Sequence, residues 1–213
     1  MCQVTKIAQR GYSDIYKDNT MEAFKKAVER DFDMIEMDLQ LCKDDIIIIY
    51  HDPYINKQFV ENLTIEQIKK LDSDIMTFEE FIHKFDYTKI ALYLDLKGSN
   101  KLAEILHNFI NTHNVNYHKM YFASFNLHHL QKLIEFDKTY NLGFITCNHL
   151  MNDMLDFIIR KFDLRFIAVS WNMLEHTTIE HIHSCNVKVY VYTADKPFIL
   201  EAIKKFKKKN KLL

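Results

Sequence analysis

Short β-rich runs alternate with longer stretches of helical period along nearly the whole chain. That alternation constrains the fold more than any other feature, because it builds βα units around a parallel sheet. The runs that read as strands are 3–8, 33–39, 46–50, 90–96, 119–124, 142–146, 166–170 and 187–192. Met21 to Arg30 reads as the first helix, with Asn19 placed to cap it and Glu22 beyond in a capping-box-like arrangement. Further helices are expected at 64–71, 77–84, 100–113, 127–138, 151–161, 176–184 and 197–208. The run 46–50 follows 33–39 too closely for a crossover helix, so it reads as an antiparallel hairpin arm. Seven strands remain for a parallel barrel. An eight-stranded one usually takes about 250 residues, and the lysine-rich 204–213 offers no eighth strand. The expected fold class is α/β, a TIM-type (β/α) barrel lacking a clear eighth strand. With 213 residues and 48% hydrophobic content, one core and a single domain over 1–213 are expected, with a short helical excursion at 54–89.

Charge and cysteine usage narrow the function. Lys plus Arg (28) and Asp plus Glu (29) nearly cancel, so no basic field points to nucleic acid, and a small-molecule partner is expected. Cysteines at 2, 42, 147 and 185 have no CxxC spacing, so spacing signals neither a zinc site nor a disulfide framework, and a reducing compartment is the default. Strand-like sequence begins at Gln3, without the apolar stretch of about 7–15 residues that a signal peptide needs. The longest aliphatic run, Ile46 to Ile49, falls far short of the roughly 20 residues of a spanning helix. A soluble, cytoplasmic protein is expected.

The chemistry concentrates on two predicted strands. Glu36 and Asp38 are two apart, so their side chains leave on one face, and Asp95 and Lys97 repeat the arrangement on the next parallel strand. In a barrel that face is the interior, and its C-terminal end is the site mouth. Three carboxylates suit a hard divalent cation, Mg²⁺ or Ca²⁺. Lys97 and Arg10 suit a phosphate, Arg10 through a fork matched to paired oxygens. His51, after the hairpin, is placed to protonate a leaving alkoxide. Taken singly, an acidic pair on a strand end is more often a structural ion pair than a metal site; the combination carries the reading.

Read in order, Ala8-Gln9-Arg10-Gly11, Asp18-Asn19-Thr20, Asp33-Met34-Ile35-Glu36-Met37-Asp38, His51-Asp52 and Leu94-Asp95-Leu96-Lys97-Gly98 resemble the signature of the glycerophosphodiester phosphodiesterase family. The likeness spans 3–195 and is strongest over the first hundred residues. The resemblance implies a TIM-type barrel that hydrolyses glycerophosphodiesters to glycerol 3-phosphate and an alcohol, with two histidines as acid and base and a divalent ion on three acidic side chains. Carried over, the metal ligands are Glu36, Asp38 and Asp95, the phosphate contacts are Arg10 and Lys97, and one catalytic histidine is His51. Three positions depart from the pattern. Gln9 stands where the family has its first histidine, Asp18 replaces a Glu, and Asp95 replaces the usual third ligand, Glu. A carboxamide hydrogen-bonds a phosphate but cannot exchange a proton near neutral pH, so impaired catalysis is expected, and a catalytically silent phosphoester-binding protein is the alternative. A purely structural module, without a metal, is the third reading.

Other positions are weaker candidates. Ser124, Phe125, Trp171 and Tyr192 fall at or after strand ends and are candidates for a substrate pocket. His128 or His129 is a remote substitute for the missing imidazole. His181 and His183, two apart on a helix, do not share a face and are expected at the surface. Lysines at 204, 205, 207, 208, 209 and 211 could meet anionic lipid headgroups weakly, although cations at a helix end also complement its dipole. An unpaired sheet edge makes a homodimer conceivable.

Overall fold

The computed structural model describes residues 5–194 and 196–210, the last five of these by backbone alone. They form two compact units, one from Thr5 to Tyr140 and the other from Asn141 onward.

The first unit contains β1 (Ile7–Ala8), α1 (Met21–Glu29), β2 (Met34–Leu41), β3 (Ile47–Ile49), β4 (Tyr54–Ile55), β5 (Gln58–Phe59), α2 (Ile65–Leu71), α3 (Phe78–Lys84), β6 (Ala91–Leu96), α4 (Leu102–Thr112), β7 (Met120–Ser124) and α5 (Leu127–Phe136). β1, β2, β6 and β7 pair in that order, all parallel. β3 runs antiparallel to β2, with Leu39 opposite Ile49, as the short connection requires. Every residue of β2 is buried. The helices bury aromatic rings: Phe24 of α1 meets Phe81 of α3 edge-on at 5.3 Å, and Phe81 stacks on Phe85 at 4.8 Å.

The excursion after β3 holds more than the two expected short helices. β4 and β5 form a small antiparallel hairpin, and Cys42, Ile48, Ile55, Val60, Leu63, Ile68 and Ile75 close an apolar cluster of their own beneath it. Both helices start at threonines in capping boxes, Thr64 with Gln67 and Thr77 with Glu80. α1 corrects the expected cap. Thr20, not Asn19, accepts from the Ala23 N–H, because Asn19 takes a left-handed backbone (φ 55°) and turns inward.

The second unit contains β8 (Asn141–Thr146), α6 (Asn152–Phe162), β9 (Phe166–Ser170), α7 (His176–Ser184), β10 (Lys188–Tyr192) and α8 (Pro197–Asn210). β8, β9 and β10 are parallel in sequence order. Gly143 faces Phe166 so closely that a Cβ would come within 2.1 Å of its ring. Among the described residues the first unit has four parallel strands and the second three, and no strand follows β10. Lys204 and Lys205 are exposed, whereas the side chains of 207–209, and residue 211, lie outside the described residues, as does Cys2. Among the described residues Cys42, Cys147 and Cys185 are free thiols, and no helix is long and apolar enough to cross a membrane.

Candidate active site at the ends of β2 and β6

β2 and β6 pair in parallel with Asp38 directly opposite Asp95. Strand periodicity sends Glu36 and Asp38 to one face, and the register sets Asp95 beside them. Oxygens of the three carboxylates lie within 4.8 Å of one another, although the residues are only 8%, 2% and 6% exposed. Such crowding is costly. Burial, then repulsion from Asp38 and Asp95, pushes Glu36 well above the usual carboxylate range, and burial pushes Asp95 up to about 6 against the pull of Lys97. Asp95 Oδ1 is buried with no hydrogen-bond partner. Repelling hard oxygens with an orphaned acceptor fit a divalent cation, whose charge relieves both problems.

Basic groups and amides hold the rest of the cluster. Lys97 Nζ lies 2.8 Å from Asp95 Oδ2 and 3.2 Å from Asp38 Oδ1; burial disfavours its charge, but the two aspartates outweigh that and raise its pKa. Arg10, in the β1–α1 loop, takes φ 54°, which points its backbone N–H at Glu36 Oε2 at 2.7 Å. Its guanidinium donates to Asp18 Oδ2 at 3.2 Å. Its Nε stands 3.3 Å from Asp38 Oδ2 without hydrogen-bond alignment. Asn19 Nδ2 donates to Asp38 Oδ2 at 2.8 Å, so the inward turn that removed Asn19 from the cap orients a carboxylate instead.

His51 follows β3, and its Nδ1 lies 2.7 Å from Asp52 Oδ1; its charge acts on Asp95. Gln40, next after Asp38 on the same face of β2, donates to the carbonyls of Tyr50 (2.7 Å) and Asp52 (2.9 Å) and so ties down the segment carrying His51. Sequence reading missed both Asn19 and Gln40. The period-two ladder Glu36, Asp38, Gln40 was the available signal for the second. Gln9 is half-buried; its carbonyl accepts from Ser13 Oγ at 2.8 Å.

The remaining candidates are dispersed. Ser124 is fully buried and donates to the Leu96 carbonyl at 2.7 Å, with His129 Nδ1 at 2.9 Å. Its hydroxyl is thus enclosed at the β6–β7 junction rather than open to a pocket. His129, 0% exposed, is also held by the Ser99 carbonyl at 2.9 Å, while His128 is exposed. Phe125, just beyond β7, is 46% exposed. Trp171 and Tyr192 belong to the second unit, the former in the turn after β9 and the latter donating its hydroxyl to the Thr146 carbonyl at 3.0 Å. The expectation that both His181 and His183 sit at the surface is corrected in part. His183 is exposed, but His181 is half-buried because Asp156 of α6 holds its Nε2 at 2.8 Å.

A model of the glycerophosphoryl diester phosphodiesterase family matches residues 10–212. A glycerophosphodiester phosphodiesterase of Caldanaerobacter subterraneus is 42% identical over 35% of the chain and 33% of the relative. An uncharacterised Mycoplasma genitalium protein is 32% identical over 67% of the chain and 68% of its own length. The chain spans less than half the length of the first two curated relatives it matches, 44% and 33%. Among solved structures, a glycerophosphodiester phosphodiesterase of Thermotoga maritima superposes with a TM-score of 0.82 at 21% identity, covering 96% of this chain and 92% of that one. An Oleispira antarctica phosphodiesterase, solved with the product sn-glycerol-3-phosphate, gives 0.83 at 19% identity, covering 93% and 88%. At these identities the likeness shows the fold, the TIM-type barrel expected from the sequence.

Proposed function

Because the chain belongs to the glycerophosphoryl diester phosphodiesterase family, we propose that it is a phosphoric diester hydrolase that cleaves a glycerophosphodiester to glycerol 3-phosphate and an alcohol. The carrying observation is the carboxylate cluster of Glu36, Asp38 and Asp95, with its orphaned Asp95 oxygen and with Lys97 and Arg10 against it. These three side chains would hold Mg²⁺ or Ca²⁺, which supplies Lewis-acid polarisation of a phosphoryl oxygen when bound. Asn19 and the Arg10 backbone N–H keep the carboxylates aimed. Lys97 and Arg10 then bind the phosphate, exchanging part of their pairing with Asp38 and Asp95 for its oxygens.

His51 is assigned the acid. Asp52 at Nδ1 orients the ring and leaves Nε2–H to protonate the departing alkoxide. Gln40 is a positioning residue for that segment. The base position is held by Gln9, whose carboxamide orients a phosphate or a nucleophile but takes no proton. Removal of one such group typically costs about 10²–10⁴ in rate. Gln9 is also the observation that favours the second reading, a phosphoester-binding protein without turnover.

The deciding experiment assays the protein on glycerophosphocholine with Mg²⁺ or Ca²⁺ beside Gln9→His, with calorimetry of glycerol 3-phosphate. Slow wild-type turnover that rises at least about tenfold in Gln9→His is the expected result. Product binding with no turnover in either protein favours the silent reading, and a slower Gln9→His overturns the role given to Gln9.

A further inference from the structure

Away from this acidic site, Asp156 of α6, His181 of α7 and Cys185, which caps the end of α7, bring three different metal-ligating groups together within the second unit. His181 Nε2 lies 2.8 Å from Asp156 Oδ1, and the Cys185 thiol donates to the same oxygen at 3.6 Å. One ligand atom from each lies within 4.8 Å of the others. His181 and Cys185 are four residues apart across the last turn of α7, where the Cys185 N–H still bonds the His181 carbonyl, and so lie on one face. All three are partly buried, enclosed enough to restrict their rotamers and open enough to load from solvent.

Around a tetrahedral zinc ion, nitrogen and oxygen ligands at about 2.0–2.1 Å and sulfur at about 2.3 Å stand roughly 3.3–3.5 Å from one another. The observed 2.8 and 3.6 Å lie within about half an ångström of that range, and the third pair, His181 with Cys185, is within 4.8 Å. The second oxygen of Asp156 is held by Arg160 at 3.3 Å, which fixes the carboxylate from behind in the way outer-sphere partners orient metal ligands.

We propose that Asp156, His181 and Cys185 form a metal site for Zn²⁺ or a comparably thiophilic divalent ion, water completing the tetrahedron, and that the ion clamps α7 to α6. Thiolate and imidazole select such ions over Mg²⁺ and Ca²⁺, so this site differs in kind from the all-oxygen cluster on β2 and β6 and does not depend on the function assigned there. On loading, the Cys185 S–H bond breaks, its proton passes to solvent, and a sulfur–metal bond replaces the thiol's contact with Asp156. Binding therefore weakens as pH falls.

The test uses the whole chain, freed of metal by chelator and then titrated with Co²⁺ or Zn²⁺ in millimolar Mg²⁺. One equivalent of Co²⁺ with a thiolate-to-cobalt charge-transfer absorption, bleached by Zn²⁺, is expected. Cys185→Ser abolishes that band, and His181→Ala or Asp156→Asn weakens Zn²⁺ binding at least about tenfold. Cys147→Ser removes an exposed thiol, and His113→Ala disrupts the exposed Glu79, His83, His113 group; neither alters the band. A measurement without variants accompanies these: Zn²⁺ slows alkylation of Cys185 but not of Cys147, read by peptide mass spectrometry. Absence of a thiolate band, equal alkylation of Cys185 with and without Zn²⁺, or a band that survives Cys185→Ser overturns the proposal.

Discussion

Single residues in the acidic site work against the fold they sit in. Asp95 titrates at about 6 in the folded chain and near 4 in the unfolded one. The native state holds the extra proton between those values, so stability falls as pH rises through that window and the ionised group costs on the order of 2–3 kcal/mol at pH 7. Asp95→Asn is accordingly expected to raise the cation-free unfolding free energy by about 1–3 kcal/mol at pH 7, read as a higher urea midpoint, and to abolish the stabilisation expected on adding Mg²⁺ or Ca²⁺; a destabilised variant would show that the Lys97 ion pair outweighs the crowding. His129 has the opposite dependence. Burial holds its pKa below the ordinary imidazole value against the Ser99 and Leu96 carbonyls, so the unfolded chain gains a proton first as pH falls below about 6.5. Stability should decline from there toward the lower folded value. Urea midpoints at pH 7.5 and 5.5 should diverge less in His129→Gln than in wild type, and equal divergence would remove His129 as the cause. Of the residues that frame the site, Glu36, Asp38, Asp95, Lys97 and His51 were legible from strand period and motif. Asn19 and Gln40 were not, since each acts on a partner that only the turned-in loop or the hairpin brings near.

At the scale of elements, alternation of period was the durable signal. Strands 166–170 and helix 176–184 fall on their observed bounds, and the others differ at their ends by a residue or a few, because capping geometry rather than hydrophobic pattern fixes termini. Two adjacent cap-competent side chains, Asn19 and Thr20, could not be ranked without knowing that Asp38 would claim one of them. The Asp156, His181, Cys185 group was equally hidden: cysteine spacing reports sites within one segment, and this one needs α6 and α7 side by side. In β8, the small side of a close strand contact is filled by Gly143 opposite Phe166. Gly143→Ala should therefore cost about 1–3 kcal/mol through overpacking, seen as a lower midpoint with unchanged activity in the folded fraction; a neutral outcome would mean that the Phe166 ring swings aside.

At the scale of the whole molecule, the family match runs through both compact units, from residue 10 to 212, and we propose that they unfold together as one domain. The lone tryptophan, Trp171, lies in the second unit, so its fluorescence follows that unit while far-ultraviolet circular dichroism follows both. Coincident transitions in urea are expected for one domain; separated midpoints would divide the chain in two. The candidate catalytic residues, the phosphate contacts and the carboxylate cluster, from Gln9 to Lys97, lie in the first unit, which leaves the second carrying the remaining pocket candidates, Trp171 and Tyr192, and the zinc-type group.

β2 alternates two sets of side chains along its length: Glu36, Asp38 and Gln40 on one face and Ile35, Met37 and Leu39 on the other, all buried. Because that alternation has period two, inserting or deleting a single residue within Met34–Leu41 would exchange the faces beyond that point, sending carboxylates into the apolar layer and methyl groups into the place of the acidic cluster. A one-codon slip inside this strand would erase chemistry and core in the same event.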